Sequence, residues 1–73
     1  MTTDERATLL KKTLQAQFVN PMKEDEYHDV FVVSGKGFVL LVMVYKKTNR
    51  CSVHNAMSGS LLKEFTLKEG GEE

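Results

Sequence analysis

The chain has 73 residues, 41% of them hydrophobic, and its 10 Lys and Arg residues balance its 10 Asp and Glu residues, so that the formal net charge is zero. A chain this short forms one domain, and its ordinary composition excludes collagen-like and highly charged disordered proteins. A disulfide scaffold is excluded because Cys51 is the only cysteine. The charge balance argues against a protein that binds nucleic acid electrostatically, since that requires a basic excess.

We expect no targeting segment and no membrane segment. Asp4 and Glu5 interrupt the N-terminal region, which therefore lacks the apolar core of a signal peptide. The longest apolar run covers residues 38–45, and a helix needs about 20 apolar residues to span a bilayer. A lone thiol fits a reducing compartment, so the expected location is cytoplasmic.

The first predicted element is an amphipathic helix over residues 3–18. Thr2 and Glu5 have the spacing of a capping box, in which each side chain accepts a hydrogen bond from the other residue's backbone N–H. Asn20 precedes Pro21 and therefore disfavours the helical conformation, which ends the helix. Apolar residues recur on one face at steps of three and four: Ala7, Leu10, Leu14 and Phe18.

After a connecting loop over residues 19–26, the sequence predicts four β-strands. They cover residues 27–34, 38–46, 51–55 and 60–68, and turn-forming residues separate them. Short connections make neighbouring strands antiparallel. The expected fold is an α+β, two-layer domain, with the N-terminal helix packed on a four-stranded antiparallel β-meander. We expect this domain to cover residues 1–67, and residues 68–73 to form a flexible acidic tail.

The first two predicted strands are apolar on both faces. Alternate side chains of a strand point to opposite faces, yet neither set is polar in residues 30–33 or 38–45. One helix covers one face, so the other would expose a larger apolar patch than monomers usually leave in water. A strongly curled sheet that buries both faces is the alternative. Otherwise the sequence predicts a homodimer or a docked protein partner, contacted through Val30, Val32, Val39, Leu41, Met43 and Tyr45.

The residues that could carry chemistry lack the required spacing. Cys51 and His54 are three positions apart in a predicted strand and therefore point to opposite faces. The chain has no C-x-x-C or H-x-x-x-H pattern, and its Ser34 turn lacks the spacing of a phosphate loop. We therefore expect no catalytic residue, no metal and no cofactor. The expected function is that of a small non-catalytic protein-interaction or regulatory subunit.

Two alternative functions remain open. Lys46, Lys47 and Arg50 cluster at one hairpin end, where charge and stacking could support weak binding of single-stranded nucleic acid. Residues 31–35 (FVVSG) are similar to the Q-V-V-A-G hairpin of the cystatins, with Phe31 in place of the Gln. This resemblance implies a helix on an antiparallel sheet, and inhibition of cysteine proteases through the hairpin of residues 32–35. Residues 53–62 also look like the last two strands of a WD-repeat propeller blade, without its Trp.

Overall fold

A computed structural model describes residues 1–68 and shows one helix followed by a five-stranded sheet. The strands are antiparallel to their neighbours and lie in chain order, β1-β2-β3-β4-β5. This confirms the α+β class and the antiparallel sheet. The predicted tail, residues 68–73, lies outside the described residues except at its first position. The elements are α1 (Thr3–Leu14), β1 (Phe18–Glu24), β2 (His28–Gly35), β3 (Phe38–Tyr45), β4 (Arg50–Asn55) and β5 (Leu61–Thr66).

The predicted number of four strands is wrong, because part of the expected loop at residues 19–26 forms β1. This strand pairs with β2 from Phe18, opposite Ser34, to Glu24, opposite Asp29. The register shifts between Pro21 and Lys23. Proline lacks a backbone N–H for pairing, and an edge strand with a bulge is where a sheet tolerates it.

The helix begins as predicted and ends earlier. The Thr2 hydroxyl accepts a hydrogen bond from the Glu5 N–H at 3.1 Å, and the Glu5 carboxylate accepts one from the Thr2 N–H at 2.7 Å. The bond from Thr2 lowers the pKa of Glu5. Gln15 then adopts a left-handed conformation, with φ of 53°, and ends the helix before Phe18. Within residues 1–68, no helix has both the length and the apolar character needed to cross a bilayer.

The core lies between α1 and one face of the sheet. Leu10 of the helix is completely buried. Leu67, after β5, and Ala16, after α1, complete the core at its margins. On each of the strands β2, β3 and β4, every second residue belongs to the core, because alternate side chains point to opposite faces of a sheet. These core residues are Phe31 and Val33 of β2, Val42 and Val44 of β3, and Cys51 and Val53 of β4.

Candidate binding face

The sheet face opposite α1, which we call the open face, has no element of the described chain packed on it. All six predicted contact residues lie there, since the register places Val30 opposite Met43 and Val32 opposite Leu41. Val39, Met43 and Tyr45 expose 50%, 40% and 45% of their surface. Val30, Val32 and Leu41 are half-buried. The sheet therefore does not curl enough to bury both of its faces.

The open face has an apolar centre and polar flanks. The apolar side chains run along β2 and β3, and we call these six residues the apolar stripe. On the next strand, β4, the residues that pair with the stripe are polar. His54 pairs with Leu41, Ser52 with Met43 and Arg50 with Tyr45. On the other side, β1 contributes Asn20 and Lys23, which pair with Val32 and Val30. An apolar centre surrounded by polar groups is the usual anatomy of a protein–protein interface.

A shallow groove of about 380 Å³ runs across the middle of this face. Met22, Val30, Leu41 and Met43 supply its apolar walls, and Lys23, His54 and Gly59 complete its lining. Methionine side chains are flexible and polarizable, so they adapt to the shape of a contacting surface. The groove is therefore suited to apolar side chains from another protein.

His54 belongs to the polar flank and is held in place. Its Nδ1 lies 3.2 Å from the carbonyl oxygen of Gly59, and its Nε2 lies 3.3 Å from the hydroxyl of Ser52. A neutral ring with the proton on Nδ1 satisfies both contacts, by donating to the carbonyl and accepting from the hydroxyl. Both ring nitrogens are thereby used in structural hydrogen bonds.

Cys51 lies on the covered side of the same strand, so it does not meet His54. Its side chain is completely buried, and burial raises the pKa of the thiol to about 11. The thiol is therefore protonated at neutral pH and is a poor nucleophile. His28 is separated from it by β3 and packs instead against Tyr45, with the rings tilted by 56° and their centroids 5.0 Å apart. Within residues 1–68, no three His, Cys, Asp or Glu side chains converge on a common point.

The predicted basic cluster is partly neutralised. Lys46 forms an ion pair with Glu24, and the Arg50 guanidinium lies 3.3 Å from a carboxylate oxygen of Glu64. Arg50 also donates a hydrogen bond to the Thr66 hydroxyl at 3.2 Å. Two of the three predicted cations thus face carboxylates of the same chain, which lowers the positive potential that a phosphate backbone would meet.

The segment similar to the cystatin hairpin lies inside the sheet. Phe31 and Val33 are completely buried, and β2 is paired on both sides, with β1 and with β3. At its end, the Phe38 ring packs so closely over Gly35 that a Cβ there would lie 2.5 Å from a ring carbon. Of the two valines that would enter a protease cleft, Val33 is thus part of the core and Val32 is half-buried on the open face.

A buried polar cluster on the covered side was not predicted. Asp29 is 1% exposed and Arg6 is 5% exposed. Their side chains form an ion pair at 2.9 Å, the Thr3 hydroxyl donates to Asp29 at 3.0 Å, and Arg6 donates to the Asn49 side chain at 3.4 Å. The sequence held a signal for it, because the alternation of β2 places Asp29 on the same face as Phe31 and Val33. The cluster joins α1 to β2 and to the turn before β4.

Comparison with known proteins adds no identification. No protein-family model matches the chain, and no curated protein or solved structure shows significant similarity to it. The function is therefore inferred from the geometry of the open face.

Proposed function

We propose that this chain is a small, non-catalytic interaction domain or regulatory subunit that binds a protein through its open face. The observation that carries the proposal is the apolar stripe, which stays substantially exposed at Val39, Met43 and Tyr45. Removing apolar surface from water yields roughly 25 cal/mol per Å². Covering the stripe is therefore favourable for any partner whose surface complements it.

The proposal assigns no role in catalysis to Cys51 or His54. The thiol is buried and protonated, and the imidazole is engaged by Ser52 and Gly59 on the other face. We place the protein in the cytoplasm, where a lone thiol stays reduced.

The two alternative functions have weaker support. Binding of nucleic acid would use Lys46, Lys47 and Arg50, but Glu24 and Glu64 already offset two of these charges. Inhibition of a cysteine protease through residues 32–35 would require the buried side chain of Val33 to leave the core.

A capture experiment with matched variants tests the proposal. The immobilised wild-type chain is compared with Leu41→Lys and Met43→Lys on the open face and with Met57→Lys in the turn between β4 and β5. Met57 is 96% exposed, so its variant controls for the added charge. A charge buried without a partner costs several kcal/mol, so we expect the two open-face variants to bind about 100-fold more weakly and Met57→Lys to bind normally.

Circular dichroism establishes that each variant is folded, and quantitative mass spectrometry measures what it captures. Met43 is more exposed than Leu41 and provides a variant that keeps the fold if Leu41→Lys does not. Folded open-face variants that retain every partner of the wild type, including a second copy of the chain, contradict the proposal.

A further inference from the structure

We propose that the partner of the open face is a second copy of this chain, packed face to face about a twofold axis that crosses the strands at right angles between Leu41 and Met43. This inference rests on the proposed function of the open face. Its basis is that the apolar stripe complements itself under this rotation, and that the size of the face and the net charge of the chain are compatible with such a dimer.

The self-complementarity follows from the order of residues on β3. Val39, Leu41, Met43 and Tyr45 point from the same face at steps of two residues. The rotation reverses the strand direction, so Leu41 of one copy meets Met43 of the other, and Val39 meets Tyr45. On β2 the same rotation brings Val30 to Val32. Apolar side chains therefore meet apolar side chains along the whole stripe, across the roughly 10 Å that separates packed sheets.

The polar residues of β4 agree with the same axis. Each strand lies over its own counterpart, so Ser52 of one copy meets His54 of the other on β4. Lys23 and Glu64 then lie near their own copies only on the outer strands β1 and β5, where water screens the like charges.

A twofold axis parallel to β3 would instead place β2 over β4, and Val30 and Val32 would meet Ser52 and His54. That arrangement sets apolar side chains against polar ones and loses the contact of Val30 with Val32, so less apolar surface is matched across the interface. The residue pattern thus favours the perpendicular axis.

The area of the face is sufficient for a reversible dimer. Its strands have six to eight residues. With about 3.3 Å per residue and about 4.8 Å between strands, a five-stranded face measures roughly 500 Å². Covering it on both copies removes on the order of 1,000 Å² from water, which reaches the lower range of specific interfaces.

The net charge of the chain is also compatible with a second copy. The formal net charge is zero, so two copies do not repel each other at long range. The charged residues of the face lie on its flanks, at Lys23, Arg50 and Glu64, and not on the stripe.

Sedimentation equilibrium of the purified chain, from micromolar to millimolar concentration, tests the association. We expect the wild type and Met57→Lys to form a reversible dimer, and Met43→Lys to weaken it by about 100-fold while the circular dichroism spectrum is retained. A wild type that stays monomeric throughout overturns the dimer. If the wild type is monomeric but Leu41→Lys or Met43→Lys abolishes capture of another protein, the proposed function still stands. If the wild type is monomeric and neither variant loses a captured protein, both proposals fail.

A spin label on Lys23→Cys tests the axis, because Lys23 lies on edge strand β1. Cys51 is buried, so the label reacts at position 23 alone. The perpendicular axis stacks β1 on β1 and keeps the backbones at the two labelled sites within roughly 15 Å, and an axis parallel to β3 places them on opposite edges, more than about 20 Å apart. A dimer with the longer distance overturns the proposed arrangement.

Discussion

Asp29 and Arg6 are each buried only because the other is present. Asp29 alternates with the buried residues Phe31 and Val33 on β2, and an isolated carboxylate there would be strongly disfavoured. The guanidinium of Arg6 and the hydroxyl of Thr3 supply the hydrogen bonds that the carboxylate loses from water. The pair therefore fixes where the first turns of α1 lie on the sheet.

Removing one partner should be far more costly than removing an exposed ion pair. Asp29→Ala leaves the Arg6 charge buried and should lower the free energy of unfolding by about 3–5 kcal/mol. This is similar to the whole margin of about 3–5 kcal/mol that a core of this size provides. Glu24→Ala, which removes the exposed partner of Lys46, should cost about 0–1 kcal/mol. Circular dichroism as a function of urea compares the two variants: Asp29→Ala should be largely unfolded even without urea, whereas Glu24→Ala should unfold near the wild-type midpoint, and equal losses would contradict this account.

For single residues, the sequence predicts the sheet face to which a side chain points better than it predicts the residue that the side chain contacts. The period of a strand places Cys51 and His54 on opposite faces, and the structure has them there. The same rule places Asp29 inward. It does not give the partner, because Arg6 lies 23 residues away on α1 and meets Asp29 only after the helix has docked. Such a contact depends on the tertiary arrangement and not on local periodicity.

Among the apolar side chains of α1, Leu10 contributes most to packing on the sheet. Leu10 is completely buried, and Leu14 is only partly buried at the end of the helix. Leu10→Ala should therefore lower the free energy of unfolding by about 2–5 kcal/mol, the range for a fully buried leucine. Leu14→Ala should cost less, because less of its surface leaves water on folding. Thermal or urea unfolding of the two variants compares them directly, and a larger loss for Leu14→Ala would show that the helix packs differently.

The predicted strands after residue 26 agree closely with β2 to β5, because their apolar content and flanking turns are strong local signals. The strand β1 was missed because its residues, FVNPMKE, are almost all exposed and contain Pro21. It is held by backbone hydrogen bonds to β2, and these leave no apolar pattern in the sequence from which the strand could be predicted. The helix end was misplaced because Phe18 continues the helical period, yet it lies on β1 and is 60% exposed.

For the whole molecule, the central feature is a sheet that is covered on one face only. The described chain measures 28 × 25 × 19 Å, and α1 with the segment around Leu67 closes the core on a single side. The two-sided strands predicted an uncovered apolar face, and of the two possible faces it is the one that carries the six stripe residues. Which face the helix covers could not be predicted, because both faces of β3 are apolar. The covered face is the one on which α1 packs together with Cys51 and Val53 of β4.

Oxidation of methionines by peroxide tests most directly whether the open face is a binding surface. Met43 lies on the stripe, and Met57, which is 96% exposed in the turn between β4 and β5, serves as the reference within the same chain. Mass spectrometry gives the ratio of the two oxidation rates as the protein concentration rises or a captured partner is added. We expect Met43 to become protected relative to Met57, because Met43 lies at the centre of the stripe, whereas the Met57 side chain lies outside it and is almost fully exposed. A ratio that stays constant under both conditions would contradict the central claim.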